Sequence, residues 1–430
     1  MTDIFTKQYI YEENKKRKVQ LNQSYETLGL GLDRQGIDIN LILDKSKAFS
    51  IAIPSWGVGT GGTRFARFPG LAEPRNIFEK LEDCSVINQL TRCTEKVSPH
   101  FPWDSTDSIE ELRQFAIELK LKFDSINSNT FQDTRNQKGS YKFGSLTHTD
   151  RNIREHAIDF NIRCIEYGKL LGSNALNIWI GDGSNLPGQQ HFSKALSRYI
   201  ESARVIYSAL PDDWNMFIEH KMFEPSFYST VIQDWGTNIL CAQMLGEKAR
   251  SLVDLGHHAP NTNIEMIVSR LLQFDKLAGF HFNDSKYGDD DLDSGSINPY
   301  QQFLIFNELV DAEYLNDFTY KPRYMLDQSH NVTDPIESLM ISADSVQRSY
   351  VQACLVDREK LYYYQNKNDA IMASQTLKNA FNTDVSSILE KTRLEKGGAI
   401  DPLQTYRKKD YRKIISHKRP EKENIGSGIV

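Results

Sequence analysis

Eight short apolar runs, each closed by a polar or glycine-rich turn and followed by a longer stretch with apolar residues at helical spacing, dominate the sequence. They begin at Ala48 (AFSIAIPSW), Lys96 (KVSPHFPW), Lys122 (KFDSINSNTF), Ala175 (ALNIWIGDG), Trp214 (WNMFIEHK), Ala249 (ARSLVDLGHH), Ala278 (AGFHFND) and Tyr320 (YKPRYMLDQS). Apolar, often β-branched runs of this length read as strands. The segments between them read as helices over 77–90, 109–121, 153–171, 192–210, 229–245, 300–315 and 335–356. After Asn261, the residues Ile264, Ile267, Val268, Leu271 and Leu272 form one stripe able to face a sheet, with Asn263 placed to cap its start. Strands alternating with helices imply parallel strands joined by helical crossovers. Eight such units predict an α/β fold of the (β/α)8 TIM barrel type, whose core takes roughly 250 residues. The 430-residue chain is longer than that, so the expected division is an N-terminal helical lead-in over 1–45, the barrel over 46–360, and a C-terminal helical extension with a basic flexible tail over 361–430.

An open doubly wound sheet is the structural rival, and it commonly carries a glycine-rich phosphate turn after its first strand. The stretch GVGTGGTRFARFPG, Gly57 to Gly70, matches neither GxGxxG nor GxxxxGK[ST], so it reads as a mobile loop over a site.

Barrel geometry puts an active site at the C-terminal ends of the strands. Those ends carry Trp56; His100 and Trp103; Asn127, Asn129 and Phe131; Trp179 and Asp182; Glu219, His220 and Lys221; Asp254, His257 and His258; His281; and Asp327, Gln328 and Ser329. The seventh opens the stretch FHFNDSKYGDDDLD, with His281, Asp284, Asp289, Asp290, Asp291 and Asp293 within fourteen positions. Carboxylates this dense repel one another, and burying one without a partner costs several kcal/mol. A divalent cation removes the conflict, whereas a solvated acidic loop is the bland alternative. Glu219 and Lys221, two apart on a strand, face the same way and His220 the other. Glu219, Asp254, His281 and Asp327 can then ring one cation, and His257, Asp289 and Asp291 a second with Asp254 shared between them. Asp290 is expected to point outward and be dispensable. Trp56, Trp103, Phe131 and Trp179 can form the apolar wall that sugar C–H faces pack against.

Charge narrows the class further. The net charge is −6, but the segment from Lys396 onward holds nine Lys or Arg against four Asp or Glu, leaving the body near −11. An acidic body argues against a metal-dependent phosphoesterase or nuclease, which needs a basic groove, and the basic tail reads as a solvated or subunit-contacting arm. No membrane span, no nucleic-acid partner and no secretory core are expected, so the cytoplasm is the default location. The five cysteines show no CxxC pairing and read as buried small hydrophobes.

The motifs PSWGVGTGGTRFARFPG, INSNTF, WIGDGSN, EHKMFEP, VDLGHHAPNTNIEMIV, GFHFNDSKYGDDDLD and DQSHNVTDPIESL closely resemble those of bacterial L-rhamnose isomerases of the broad-specificity type, relatives of xylose isomerase. The resemblance runs over nearly the whole chain and is weakest in the tail. It implies a homotetrameric aldose–ketose isomerase with two divalent ions, usually Mn²⁺, with Co²⁺, Mg²⁺ or Zn²⁺ as substitutes. It implies L-rhamnose to L-rhamnulose conversion, with activity on other aldoses such as D-allose. Carried over by position, the structural-type metal falls to Glu219, Asp254, His281 and Asp327, and the catalytic-type metal to His257, Asp289 and Asp291 with Asp254 shared. Lys221, Asp327 and His100 become the catalytic residues, and Trp56, His100, Phe131, Trp179, Lys221 and Ser329 the substrate contacts. Phe65, on the glycine-rich loop, is implied to reach a neighbouring subunit's site. Hydride transfer from C2 to C1 and a base-mediated enediol route, with Asp327 and its water as base, both stay open. Ketose 3-epimerisation is the nearest chemical neighbour.

Overall fold

The computed structural model describes residues 4–59, 68–134, 137–224, 229–315, 320–330 and 332–420. Three helices, α1 (Lys7–Lys15), α2 (Lys18–Asp33) and α3 (Ile39–Ala48), precede the first strand, as their charged and periodic sequence predicts. There follow β1 (Ala52–Pro54), α4 (Ile77–Thr91), β2 (Lys96–Ser98), β3 (His100–Phe101), α5 (Ile109–Glu118), β4 (Lys122–Phe123), β5 (Ile126–Asn129), α6 (Arg151–Leu171) and β6 (Ala175–Trp179). The chain continues through β7 (Gly183–Ser184), α7 (Phe192–Ser208), β8 (Asn215–Glu219), β9 (Ser229–Thr230), α8 (Trp235–Leu245), β10 (Ala249–Asp254), α9 (Ile264–Gln273), β11 (Leu277–Phe282), α10 (Pro299–Leu315), β12 (Arg323–Leu326) and α11 (Pro335–Cys354). Five further helices, α12 (Arg358–Asn366), α13 (Ala370–Phe381), α14 (Ser386–Glu395), α15 (Pro402–Lys409) and α16 (Tyr411–Ser416), complete the described chain. None of the described helices is long and apolar enough to cross a membrane.

Ten strands form one parallel sheet in the order β3-β5-β6-β8-β10-β11-β12-β1-β2-β4, and β7 and β9 pair separately as an antiparallel ribbon. All eight sequence runs supply strands to the large sheet, but two of them split. Pro99, which has no N–H to give the ladder, separates β2 from β3, and Asp124 and Ser125 separate β4 from β5. Backbone bonds from Asp124 N to Val97 O (2.8 Å) and from Asn127 N to Pro99 O (3.0 Å) carry the pairing across both gaps. At the start of the strands Arg323 of β12 donates to Asp124 Oδ1 at 2.6 Å and to Asn174, reaching past the strands that pair between them.

Every residue of β10 and β11 is buried, including the polar Arg250, Ser251 and Asp254 of β10. Helix α9 shows the matching logic: Ile264, Ile267, Val268 and Leu271 are buried, Met266 is exposed, and Asn263 Oδ1 accepts from Met266 N at 2.9 Å. The pairing of β10 with β11 slips one residue, so that Ser251 faces Leu277 while Leu252 faces Gly279. A Cβ on Gly279 would stand 2.1 Å from the Arg323 carbonyl oxygen, so the slip needs glycine. Ala278, in a small apolar cluster with Ala175, Phe217 and Leu252, and His281, three residues on, thereby come to the same side of the sheet.

Two sequence expectations change. The helix expected from Ser229 starts only at Trp235, where Asp234 Oδ1 caps Thr237 N at 2.7 Å, because Ser229 and Thr230 pair with β7. The basic tail is not a solvated arm through residue 420: Arg412 and Arg419 meet Asp83 of α4 at 2.8 Å each, and Arg419 is 2% exposed. Arg412 also holds Asp334, the cap of α11. Of the cysteines, Cys84, Cys93, Cys164 and Cys241 are buried and Cys354 half-buried, all unbridged.

Candidate metal centre

Glu219 ends β8, Asp254 ends β10, His281 is the penultimate residue of β11, and Asp327 directly follows β12. These four residues bring one ligand atom each to within 4.8 Å of one another. His281 Nδ1 lies 3.2 Å from Asp327 Oδ2, 3.4 Å from Glu219 Oε1 and 3.7 Å from Asp254 Oδ2. Neither ring nitrogen of His281 makes a hydrogen bond, and neither does Asp254 Oδ2, although all are buried. Orphaned buried polar atoms gathered within reach of one point suit a bound cation. The residues therefore fit a divalent cation bound by oxygen and imidazole.

The electrostatics agree. Burial, helped by the Asp327 and Glu219 charges and opposed by His257 and His281, lifts Asp254 to about 6. Burial works the same way on Glu219, but the His281 and His257 charges outweigh it and hold that carboxyl at about 2. His281 is pushed well above the usual imidazole range, burial being overcome by Glu219 and Asp327. A divalent ion at this point would compete with protons for Asp254 and His281.

The other expected ligands are less compactly placed. His257 Nδ1 donates to the His220 carbonyl oxygen at 2.9 Å, which turns Nε2 towards Asp289 Oδ1 (3.2 Å) and Asp254 Oδ2 (4.0 Å). Asp289 also pairs with Lys221, whose ammonium pairs with Glu224 as well. Asp291 Oδ2 instead accepts from Ser329 Oγ at 3.0 Å. Both Asp289 and Asp291 have left-handed backbones, with φ of 53° and 52°. The loop can approach because Gly256 lacks a side chain: a Cβ there would stand 2.8 Å from Asn283 Oδ1 and 3.2 Å from Asp289 Cα. Asp290 is not an idle outward residue. Its Oδ2 accepts from Lys286 N at 2.6 Å and Tyr287 N at 2.9 Å, closing the turn that presents its two neighbours.

An aromatic arc faces these groups. Trp56 Nε1 donates to Asp327 Oδ1 at 2.9 Å, and its ring meets the edge of His100 at 5.3 Å. His100 stacks on Trp103 at 3.8 Å and stands edge-on to Phe131, which in turn meets Trp179 at 4.5 Å. Lys221 Nζ sits 5.0 Å from the Trp179 ring centre, so the arc runs from beside Asp327 round to beside Asp289. Burial pushes His100 down to about 3 and keeps it neutral, with a buried Nδ1 that has no partner. His220 and His258 pack edge to face at 4.7 Å, away from this arc. Phe65 lies outside the described residues.

Several functional contacts were not foreseen from the sequence. Asn177 Nδ2 donates to Glu219 Oε2 at 2.6 Å, and Asn283 Nδ2 to Asp254 Oδ1 at 2.9 Å. Asparagine in the middle of an apolar strand, as in ALNIW, is the available signal, since a buried amide needs partners. Asp182 takes four hydrogen bonds from Ser145 and Thr147, fixing the loop behind Trp179.

No family model matches the sequence. A probable sugar isomerase from Rhizobium meliloti (strain 1021) is 60% identical over 430 residues, covering 100% of both chains. Another from Mesorhizobium japonicum is 60% identical over 427 residues, covering 99% of each. Among solved structures, a 3-keto-D-glucoside 4-epimerase from E. coli superposes with a TM-score of 0.51 and 14% identity, over 69% of this chain and 99% of that one. A protein from Sinorhizobium meliloti 1021 gives 0.50 and 12%, over 70% and 98%. At these identities the structural likeness speaks for the fold alone.

Proposed function

The chain belongs to the family of these rhizobial sugar isomerases, and from that premise we propose that it is a metal-dependent aldose–ketose isomerase converting L-rhamnose to L-rhamnulose, with room for other aldoses such as D-allose. The observation that carries the reading is the four-residue cluster of Glu219, Asp254, His281 and Asp327 with Lys221 beside it, facing the Trp56, Phe131 and Trp179 arc. In this reading the first ion takes those four residues, and a second takes His257, Asp289 and Asp291 with Asp254 shared, Mn²⁺ being the preferred ion for both. The reading includes closure of the parallel sheet into a (β/α)8 barrel over 46–360. Supporting it are the pairing of β1 with both β2 and β12, the ladder that continues across the two gaps, and the Arg323–Asp124 bond. The helical segments 1–45 and 361–430 flank that body, and a tetramer with Phe65 lent to a neighbouring site belongs to the same proposal.

Interconverting an aldose and a ketose moves one hydrogen between C1 and C2 and one proton between O2 and O1. Divalent ions held by these residues would supply polarisation of the sugar carbonyl and a lowered pKa for an attached hydroxyl or water. Lys221, held by Asp289 and Glu224, presents its ammonium to a sugar oxygen next to the reacting carbons. Neutral His100, within the aromatic arc, offers its imidazole to a sugar hydroxyl, and Ser329, tied to Asp291, orients another. The aromatic arc excludes water, which favours direct transfer of hydrogen from C2 to C1. On the enediol route a water held by Asp327, itself restrained by Trp56, takes the C2 proton.

The test is to incubate the purified protein with a panel of aldoses, stripped by chelator and then resupplied with Mn²⁺, and to look for ketose. Conversion of L-rhamnose restored by metal is the expected result. No metal-restored conversion of any aldose overturns the isomerase reading, and a C3-epimeric ketose from a ketose substrate would replace it with epimerisation.

A further inference from the structure

We infer that three neutral donors, Asn177, Asn283 and Trp56, set each carboxylate of the cluster to offer a single oxygen, and that this selects a small six-coordinate divalent cation over Ca²⁺. The inference rests on the metal-dependent reading above. Each of the three carboxylates divides its oxygens in the same way. The oxygens nearest His281 Nδ1 are Glu219 Oε1, Asp254 Oδ2 and Asp327 Oδ2. The opposite oxygens are committed elsewhere: Glu219 Oε2 to Asn177 at 2.6 Å, Asp254 Oδ1 to Asn283 at 2.9 Å, and Asp327 Oδ1 to Trp56 at 2.9 Å.

The donors are themselves anchored. Asn177 Nδ2 also donates to Asn127 Oδ1 at 3.0 Å, and Asn127 donates to the Pro99 carbonyl oxygen at 3.2 Å. Gly256 N backs Asn283 with a second bond to Asp254 Oδ1 at 2.8 Å. Trp56 is braced by His100. All three donors are uncharged, so they orient the carboxylates without spending the negative charge that a cation needs. An arginine or lysine in their place would compete with the ion.

A carboxylate oxygen held by an N–H cannot swing round to chelate as a pair. Ca²⁺ takes 6–8 oxygens and often gains some of them from bidentate carboxylates, whereas Mg²⁺ and Mn²⁺ accept octahedral sets of single oxygens and leave positions for substrate. Three single oxygens and one imidazole suit the second group. Partners of this kind beyond the ligands commonly change metal affinity by about 10–100-fold when removed.

The test titrates the full chain, stripped of metal, with Mn²⁺ and with Ca²⁺ by calorimetry, a readout independent of turnover. The wild type is expected to bind Mn²⁺ and to bind Ca²⁺ at least about 100-fold more weakly. Trp56→Phe and Asn177→Ala are expected to weaken Mn²⁺ by about 10–100-fold while leaving Ca²⁺ equal or tighter, so the ratio narrows. Asn283→Ala, still covered by Gly256 N, should have the smallest effect. Thermal unfolding of the stripped variants shows whether each has folded; if Asn177→Ala has not, Trp56→Phe at the half-buried rim decides. Wild type that binds both ions alike, or folded variants that keep the wild-type ratio, overturns the inference and leaves the isomerase reading standing. Wild type that takes up neither ion defeats both.

Discussion

Lys221 shows most directly how single side chains divide the work. Its ammonium is 5.0 Å from the Trp179 ring centre and paired with Asp289 and Glu224, which sets it between the four-residue cluster and the aromatic arc, the substrate side in the proposed reading. Lys221→Met is expected to lower aldose turnover by about 10²–10⁴-fold, the range for a positioned proton-bearing group, while Mn²⁺ content by elemental analysis stays at the wild-type level. Loss of metal in that variant would contradict the role. His100 gives a second expectation. Burial holds it near 3, against an ordinary imidazole value of about 6.5, so below pH 6.5 the unfolded chain binds a proton that the folded one refuses. Stability is therefore complete above about 6.5 and is lost as pH falls, by about 1.4 kcal/mol per pH unit for this residue. Urea unfolding of metal-free protein between pH 7 and 5 should show a shallower pH slope in His100→Asn; an unchanged slope would rule out a neutral buried imidazole. That Glu219, Asp254, His281 and Asp327 come together was legible in the sequence because strand ends can be located from apolar runs. Asn177 and Asn283 were not, because an amide in a strand names no partner until neighbouring strands are in place.

Among the elements, β11 decides whether the cluster assembles. A regular alternation would set Ala278 and His281 on opposite faces, and the slip beside Gly279 brings them together. Gly279→Ala would drive a methyl against the Arg323 backbone, forcing β11 and β12 apart where they present His281 and Asp327. The variant should lose on the order of 1–3 kcal/mol in chemical denaturation and bind Mn²⁺ more weakly. Full stability and metal affinity would show that the strands yield without cost. The apolar character of β11 could be read from composition, and four of the five residues in the α9 stripe are buried, with Leu272 half-buried. The slip could not be read, because register is a relation between two strands and no single run contains it.

At the scale of the molecule, the described C-terminal helices are part of the body. Asp83, fully buried in α4, receives Tyr411 at 2.8 Å as well as Arg412 and Arg419. Arg419→Ala is expected to cost about 3 kcal/mol, towards the lower end for removing one partner of a buried pair, with Arg412 left in place. Thermal unfolding that matched the wild type would mean the clamp is ornamental. Positive charge in the tail misled the sequence reading because its acidic partners, Glu82, Asp83 and Asp334, lie in distant helices. That distance also sets a timetable. Asp83 and Arg419 are 336 residues apart, and a ribosome adding roughly 5–20 residues each second leaves α4 waiting about 20–70 s for its counter-ion. Through that interval the nascent chain carries a carboxylate that cannot yet be buried. Final closure of this region therefore waits until Arg419 has been made and has left the ribosome.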